Sequence, residues 1–508
     1  MISNSAKRQF LSRELNDFDW MKRVPEKELD DLINNLDPKP IFHTEPFRHQ
    51  KICFIIGINF PEFLFLLDLG AGKTKIVLDL FRYYKQCGEA NSALVLVPNI
   101  ANIDGWRDEI EIHAPDLSYV LMTGTKAQRL DALNTDNDLY ILNYDGFVSL
   151  CKTRVGKKSK IYKKKVSELF KRIDFSIFDE CTAFKNKKTL TFRSCNAISH
   201  KCVVKFGLTG TPFGRDPIDL WSQFYVMDNG ETLGRTIKMF QEVFFSSKLN
   251  YWGGLEYTFK KNMTNKLYQV IKNKSIYYSI EECSQNLPAV RRKNIVVDFS
   301  TTLEKYYETI KQEIIDARGN YIEMENAFMK MRQLASGFLR YKDEEGEVID
   351  IDFGENPKLD ALMELVDEMP VSSKMIIIHN FIHTGKTICE ALDKAGISHR
   401  WLSGVTKDES PIKDFKTLPD CRILVMNHQS GSKGLNLQCA NYVVFVESPV
   451  SPLDRKQCEG RCYRTGQKKT VMYYDILMRK SIDFKIQKYL KDGENLFDAL
   501  IRGVETFD

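Results

Sequence analysis

Phe63-Leu-Phe-Leu-Leu-Asp-Leu-Gly70-Ala-Gly72-Lys73-Thr74 decides the fold of this 508-residue chain. An apolar run ends in a turn holding two glycines, and the amphipathic stretch KTKIVLDLFRYY follows directly, so the pattern is buried strand, tight turn, helix. A helix N-terminus reached in this way binds phosphate. Gly70 and Gly72 let backbone N–H groups close around a β-phosphate, Lys73 brings positive charge to the β and γ oxygens, and the Thr74 hydroxyl can ligate Mg²⁺. The full P-loop pattern has one more glycine six residues before the lysine, where this chain has Leu67.

Outward from the turn, apolar runs alternate with polar or amphipathic stretches. FLFLLDL, ALVLVP, YVLM, DLYILN, FSIFDE and VVKFGLT, between Phe63 and Phe224, predict a parallel sheet covered by helices. MIIIHNF, CRILVMN, YVVFVES and VMYYDIL, from about Lys374 onward, predict a second α/β unit. The intervening chain is rich in Lys, Glu, Gln and Met at helical spacing, and its end, KDEEGEVIDIDFGENP, sets seven acidic residues around one lysine, which suits a solvated hinge. The expected division is an extension at 1–45, a first lobe at 46–225, a mostly helical insertion and linker at 226–357, a second lobe at 358–480 and a helical segment at 481–508.

The strand FSIF delivers Asp179-Glu180 to the C-terminal edge of the first sheet, where parallel sheets present ligand-binding residues. Two adjacent carboxylates there suit separate tasks. Asp179 would hold Mg²⁺ through water, and Glu180 would act as general base on the attacking water.

From this point the chain resembles the Swi/Snf-type ATPases of helicase superfamily 2. Asp179-Glu180-Cys181-Thr182-Ala183-Phe184-Lys185-Asn186 is similar to the family's DEAH-x-x-KN block, with Cys181 in place of alanine and Thr182 in place of histidine. Pro46-Phe47-Arg48-His49-Gln50 resembles the adenine-reading segment, which implies that Arg48 and Gln50 serve the nucleotide. Leu96-Val-Pro98 with Trp106, and Asn143-Tyr144, resemble the strand-end blocks that touch nucleic acid. Leu208-Thr209-Gly210-Thr211-Pro212 resembles the coupling motif, with Thr209 and Thr211 as its coupling residues, and Asp219-Leu-Trp221 follows it.

The second half supplies the remaining blocks. Gln457-Cys-Glu-Gly460-Arg461-Cys-Tyr-Arg464-Thr-Gly466-Gln467 is similar to the family's QxxGRxxRxGQ block, which implies that Arg461 and Arg464 lend positive charge to the departing γ-phosphate. The three-residue spacing places both arginines on one face of an expected helix; Arg464 is the stronger candidate of the two. Gly431-Ser-Lys433-Gly434-Leu-Asn436-Leu resembles GGxGxNL, implying nucleotide contact at Gly434 and nucleic-acid contact at Lys433 and Asn436. Lys374 to Phe381 and Trp401 to Gly404 fill the other places. The resemblance runs from about Pro46 to Asp483 and implies two RecA-like parallel-sheet lobes in tandem that use ATP and Mg²⁺. A lean, lysine-rich chain of this kind suggests a viral or phage member.

Composition excludes several classes. With 43% hydrophobic and 28% charged residues the chain is a folded, multi-unit protein, and 73 basic against 68 acidic residues leave a net +5, too little to name a polyanionic partner. Twelve scattered cysteines contain no CxxC pair, and no histidine lies near Cys458 and Cys462, so zinc is not expected and free thiols in a reducing compartment are. MISNSAKRQFLSRELNDFDW lacks the apolar stretch of a secretory signal, and Asn59, Pro61, Glu62 and Asp68 break the most apolar region. The expectation is a soluble intracellular protein, cytoplasmic or nuclear.

Charge concentrates in one place. Between Lys152 and Arg172 stand ten basic residues, including Lys157, Lys158, Lys163, Lys164 and Lys165, against the single acid Glu168. Such a run reads equally as a solvated surface loop or as an arm contacting nucleic-acid phosphates. The leading expectation is an ATP-dependent translocase on duplex or branched DNA, targeted by its own extension and insertion or by a protein partner. A strand-separating or branch-migration helicase on DNA or RNA is the alternative, and a nucleic-acid-binding scaffold with weak ATPase is the third.

Overall fold

The computed structural model describes residues 18–156, 158–214, 216–249, 255–283, 287–316, 321–342, 347–402, 410–431, 436–464 and 466–497. It divides into two compact units, Met1–Gln285 with Asn495–Asp508, and Asn286–Glu494.

In the first unit the strands are β1 (Glu62–Leu67), β2 (Ala93–Val97), β3 (Tyr119–Leu121), β4 (Leu139–Asn143), the hairpin β5 (Lys152–Val155) and β6 (Lys158–Ile161), β7 (Phe175–Asp179), β8 (Val204–Thr209), the hairpin β9 (Phe245–Leu249) and β10 (Leu255–Phe259), and β11 (Ser275–Tyr278). Seven of them form one wholly parallel sheet in the order β11-β1-β8-β7-β2-β4-β3. Its central strands read as continuous apolar runs because helices cover both faces, and β1, β2, β4 and β8 are buried along almost their whole lengths. One glycine sits close against a neighbouring side chain. On β8 a Cβ at Gly207 would stand 2.4 Å from Cδ2 of Leu64 on β1.

The second unit holds β12 (Val290–Val297), the hairpin β13 (Phe338–Lys342) and β14 (Val348–Asp352), β15 (Met375–His379), β16 (His399–Leu402), β17 (Ile423–Asn427), β18 (Tyr442–Phe445) and β19 (Val471–Met478). Six make a second parallel sheet in the order β12-β19-β18-β15-β17-β16. The helices Thr301–Asp316, Tyr321–Leu334 and Ile482–Phe497 share a separate apolar cluster built on Leu303, Tyr307, Leu334, Ile486 and Leu490.

Both α/β units and the parallel sheets expected from the sequence are present. The insertion is not one body, however: the chain divides after Gln285, well away from the boundaries at 225 and 357. Within residues 226–357, β11 completes the first sheet beside β1, and β12 forms an edge of the second. The stretch expected as a solvated hinge contains β14, where Arg340 grips Asp350 with two hydrogen bonds of 2.6 and 2.7 Å, and Pro357 opens the helix Pro357–Glu368. No described helix is long and apolar enough to cross a membrane.

Candidate functional site

The turn after β1 is built as a cradle. Gly70 and Gly72 take left-handed φ values of +83° and +73°, and Gly72 caps the helix Lys73–Gln86 without any side-chain acceptor, leaving the first-turn amides to a ligand. A Cβ at Gly72 would fall 2.3 Å from Nε2 of Gln50, which also reaches the Gly72 carbonyl at 3.4 Å. His49 closes the same side through Nε2 to the Ala71 carbonyl at 2.8 Å. Lys73 leans back into the turn and donates to the Leu67 carbonyl at 3.0 Å, so the residue departing from the glycine pattern still anchors the lysine through its backbone. Thr74, next on the helix, is partly exposed. Free helix-end amides, a lysine and a hydroxyl form a donor set that fits a nucleotide polyphosphate.

The carboxylates converge on this cradle. Lys73 Nζ stands 3.7 Å from the Glu180 carboxylate, whose other oxygen accepts the Thr209 hydroxyl at 2.9 Å. Thr209 Oγ1 in turn accepts from the Thr211 amide at 3.1 Å, so a chain of contacts runs from the lysine through Glu180 to the end of β8. Glu180 holds a left-handed φ of +45°, costly for a residue with a side chain and typical of strain retained at working sites. Asp179 accepts the Trp106 indole N–H at 2.9 Å and the Glu180 amide at 3.0 Å. Burial first, and then the adjacent Glu180 charge, raise the Asp179 carboxyl to about 6. A divalent cation beside Asp179 would relieve that penalty, and Asp179 and Thr74 offer oxygen donors of the kind Mg²⁺ takes.

Two residues of this unit stand in contacts other than those expected. Trp106, expected to touch nucleic acid, is 3% exposed, and its indole is committed to Asp179; the neighbouring Tyr144 is likewise buried and donates to the Asp179 carbonyl at 2.9 Å. Both hold the strand end that carries Asp179, an arrangement no local sequence signal carries because the partners lie far apart in the chain. Arg48, expected at the nucleotide, donates to the carbonyls of Lys22 and Val24 at 2.8 and 2.6 Å and so braces the segment before it. Pro98 is half-buried, one residue before Asn99 caps the helix Ile100–His113. Cys181 is buried against Gln223, its thiol donating at 3.2 Å.

The basic run forms the β5–β6 hairpin and the short helix Lys163–Leu169. Lys158, Lys160, Lys163 and Lys164 are exposed. Lys165 differs: its ammonium donates to the Lys152 carbonyl at 3.2 Å and to the Thr153 hydroxyl at 3.1 Å. Lys157 lies outside the described residues, as do Lys433 and Gly434 in the second unit, where Asn436 is exposed.

Within the second unit the helix Pro452–Glu459 stops at Gly460, so Arg461 and Arg464 lie on a turn and not on a helical face. Arg461 is buried and Arg464 partly exposed. Gln467 staples the turn from the far side, its amide donating to the carbonyls of Gln438, Ala440 and Cys462. Beneath it, Glu459 accepts both forks of Arg292 at 2.6 and 2.7 Å and Arg455 Nε at 2.7 Å. Burial opposes ionisation of Glu459, but Arg455 and Arg292 outweigh it and hold the carboxyl at about 2.

A family model of the SNF2-related domain matches residues 59–347, and one of the helicase conserved C-terminal domain matches residues 357–466. The chain is 24% identical over 456 residues to the chromodomain-helicase-DNA-binding protein 1-like of Mus musculus, covering 86% of this chain and 47% of that protein. It is 22% identical over 492 residues to the ATP-dependent helicase fft1 of Schizosaccharomyces pombe, covering 83% and 49%. Among solved structures it is similar to the Sulfolobus solfataricus SWI2/SNF2 ATPase core in complex with dsDNA, at 20% identity and a TM-score of 0.41, over 91% of this chain and 94% of that one. The chain spans a little under half the length of these two relatives.

Proposed function

The chain belongs to the SNF2-related family, and from that premise we propose that it is an ATP hydrolase of helicase superfamily 2 that couples hydrolysis to movement along DNA, duplex or branched. The observation that carries the proposal is the Lys73–Glu180–Thr209 cluster at the C-terminal edge of the first sheet. A lysine on a phosphate-binding helix end, a carboxylate beside it and a hydroxyl tying that carboxylate to a strand end suit water activation against a bound triphosphate.

In this reading Gly70, Gly72, Lys73 and Thr74 bind the phosphates, and Gln50 holds the base side of the cradle. Glu180 accepts the proton of the attacking water, and Lys73 orients its carboxylate. Mg²⁺, when bound by Thr74 and Asp179, would neutralise charge on the phosphate oxygens. Arg461 and Arg464 supply further positive charge as the γ-phosphate leaves, a contribution worth roughly 10³ to 10⁵ in rate where such arginines act. Thr209 and Thr211 pass the state of Glu180 to the strand edge, which is where coupling to nucleic acid would begin. Exposed Lys158, Lys163, Lys164 and Asn436, with Lys157 and Lys433, contact the backbone phosphates, which carry little sequence information.

Steady-state hydrolysis with no nucleic acid, single-stranded DNA, duplex DNA, branched DNA and RNA in parallel tests the proposal. Stimulation by duplex or branched DNA, abolished by Lys73→Ala, is the expected result. Hydrolysis that ignores every nucleic acid, or that survives Lys73→Ala, overturns it. Triplex displacement without duplex unwinding supports translocation; unwinding supports the helicase alternative.

A further inference from the structure

The turn bearing Arg461 and Arg464 hangs from Glu459. The Glu459 carbonyl accepts the amides of Cys462 and Tyr463 at 3.3 and 3.4 Å and the Tyr473 hydroxyl at 2.8 Å. Its carboxylate meets two guanidinium groups that are held very differently. Arg455 is buried and locked, donating to Asp475 at 2.5 and 2.8 Å and lying 3.5 Å from the centre of the Phe445 ring. Arg292 comes from β12, its side chain about half exposed and its guanidinium 4.9 Å from the centre of the Tyr473 ring.

Arg455 is shared between Glu459 and Asp475, so Arg292 completes the charge balance of the two carboxylates. Its bidentate grip adds something besides charge balance, because a fork fixes the angle of a carboxylate as well as its distance. The place Arg292 comes from indicates what that is. β12 is the first strand after the division at Gln285, so the residue that sets the angle of Glu459 stands on the strand by which the chain enters the second unit.

We propose that Arg292 is a positioning residue for hydrolysis, orienting the Arg461–Arg464 turn through Glu459 and tying that orientation to β12. The inference rests on the reading of Arg461 or Arg464 as a phosphate-facing group. Arg292 touches neither nucleotide nor nucleic acid in it; the whole effect passes through the Glu459 carboxylate.

The test uses the full chain with saturating DNA and compares Arg292→Met, Arg292→Lys, the double variant Arg292→Met/Glu459→Met, Arg461→Ala and Arg464→Ala by ATPase kinetics and thermal unfolding. Misplacing a charged group by an ångström costs on the order of ten- to a hundredfold, so Arg292→Met should lower kcat by that much and leave KM for ATP within about twofold. Arg292→Lys keeps the charge without the fork and should restore stability but only part of kcat. The double variant removes both charges and should recover Tm while kcat stays low. Wild-type kcat in Arg292→Met, or recovery of kcat together with Tm in the double variant, reduces the pair to an ordinary ion pair and overturns the inference. If instead Arg461→Ala and Arg464→Ala both leave hydrolysis intact, the underlying reading of the arginines fails first, and the two failures are told apart.

Discussion

The indole N–H of Trp106 donates to the carboxylate of Asp179 at 2.9 Å. A helix that begins at the edge of the first sheet is thereby fastened to the carboxylate proposed to hold the metal. Trp106→Phe keeps the ring and removes the donor, so the metal site loosens while the fold remains. Groups that orient a metal ligand are worth about 10- to 100-fold in metal affinity. We expect the Mg²⁺ concentration for half-maximal hydrolysis to rise by at least about tenfold, with DNA affinity at saturating Mg²⁺ unchanged. A loss of DNA affinity with an unaltered Mg²⁺ requirement would return the ring to the nucleic-acid surface.

Acidity at Asp179 gives a second check. Its carboxyl, raised to about 6, keeps its proton in the folded protein over a range, from about 4 to about 6, in which the unfolded chain has already lost it. Stability from this group is therefore present at the acid end of that range and lost as pH rises through about 6. Asp179→Asn should remove that slope from denaturation profiles of the nucleotide-free protein. Binding of the magnesium nucleotide near pH 5.5 should release a proton in the wild type and none in the variant, read by calorimetry in buffers of different ionisation enthalpy.

Glu180 and Thr209 should act as a unit. Glu180→Gln should cut kcat by about 10² to 10⁴ without loss of nucleotide binding, the range expected for a general base. Thr209→Val frees one Glu180 oxygen and should cut kcat less. Because the hydroxyl works only through that carboxylate, the double variant should be no slower than Glu180→Gln. Multiplying effects would show that Thr209 acts elsewhere.

On the basic hairpin the lysines separate into two kinds. Neutralising exposed Lys158, Lys160, Lys163 and Lys164 to Gln should flatten the salt dependence of DNA binding by up to about 0.9 for each phosphate that is no longer neutralised. Lys165→Gln should leave the slope alone and lower stability, since its ammonium holds the hairpin backbone and Thr153. An unchanged slope in the fourfold variant would leave the run a solvated surface feature.

Behind the phosphate helix lies a buried charge cluster. Asp79 is paired with Lys75 at 2.5 Å and Arg82 at 2.9 Å, and Arg82 also binds Asp116 and the carbonyls of Ile41 and His113. Arg82→Met strands Asp79 with one partner and should cost about 3 to 5 kcal/mol in denaturant unfolding of this unit. Removing Asp116 alone, which is more exposed, should cost much less.

Legibility followed burial. Strands buried on both faces, such as Leu64–Leu67 and Ile376–Ile378, announce themselves as apolar runs, and the glycine turn and the Asp179-Glu180 pair are local patterns. Val290–Val297 carries Arg291, Arg292 and Lys293 because it is a partly exposed edge strand, so its apolar run is cut down to Ile295–Val297 and is too short to mark it. Ser275–Tyr278 is only four residues long and follows the polar stretch Lys272–Lys274, which hid it although it is buried. Helical continuity from Gln457 to Arg464 was a natural reading of the spacing, but Gly460 ends the helix before either arginine. The pairings Trp106–Asp179, Arg48–Val24 and Arg292–Glu459 join distant parts of the chain, and no window of sequence holds both partners.

The pairing of β1 with β11 bears on how the protein is made and cut. Leu64 to Leu67, the apolar strand leading into the phosphate turn, have one flank paired with Ser275 to Tyr278, so a nascent chain cannot close this sheet until that late segment has emerged. A truncation at residue 225 would leave a bare hydrophobic edge, open to pairing with any other chain, whereas one carried to Cys283 keeps its own cover.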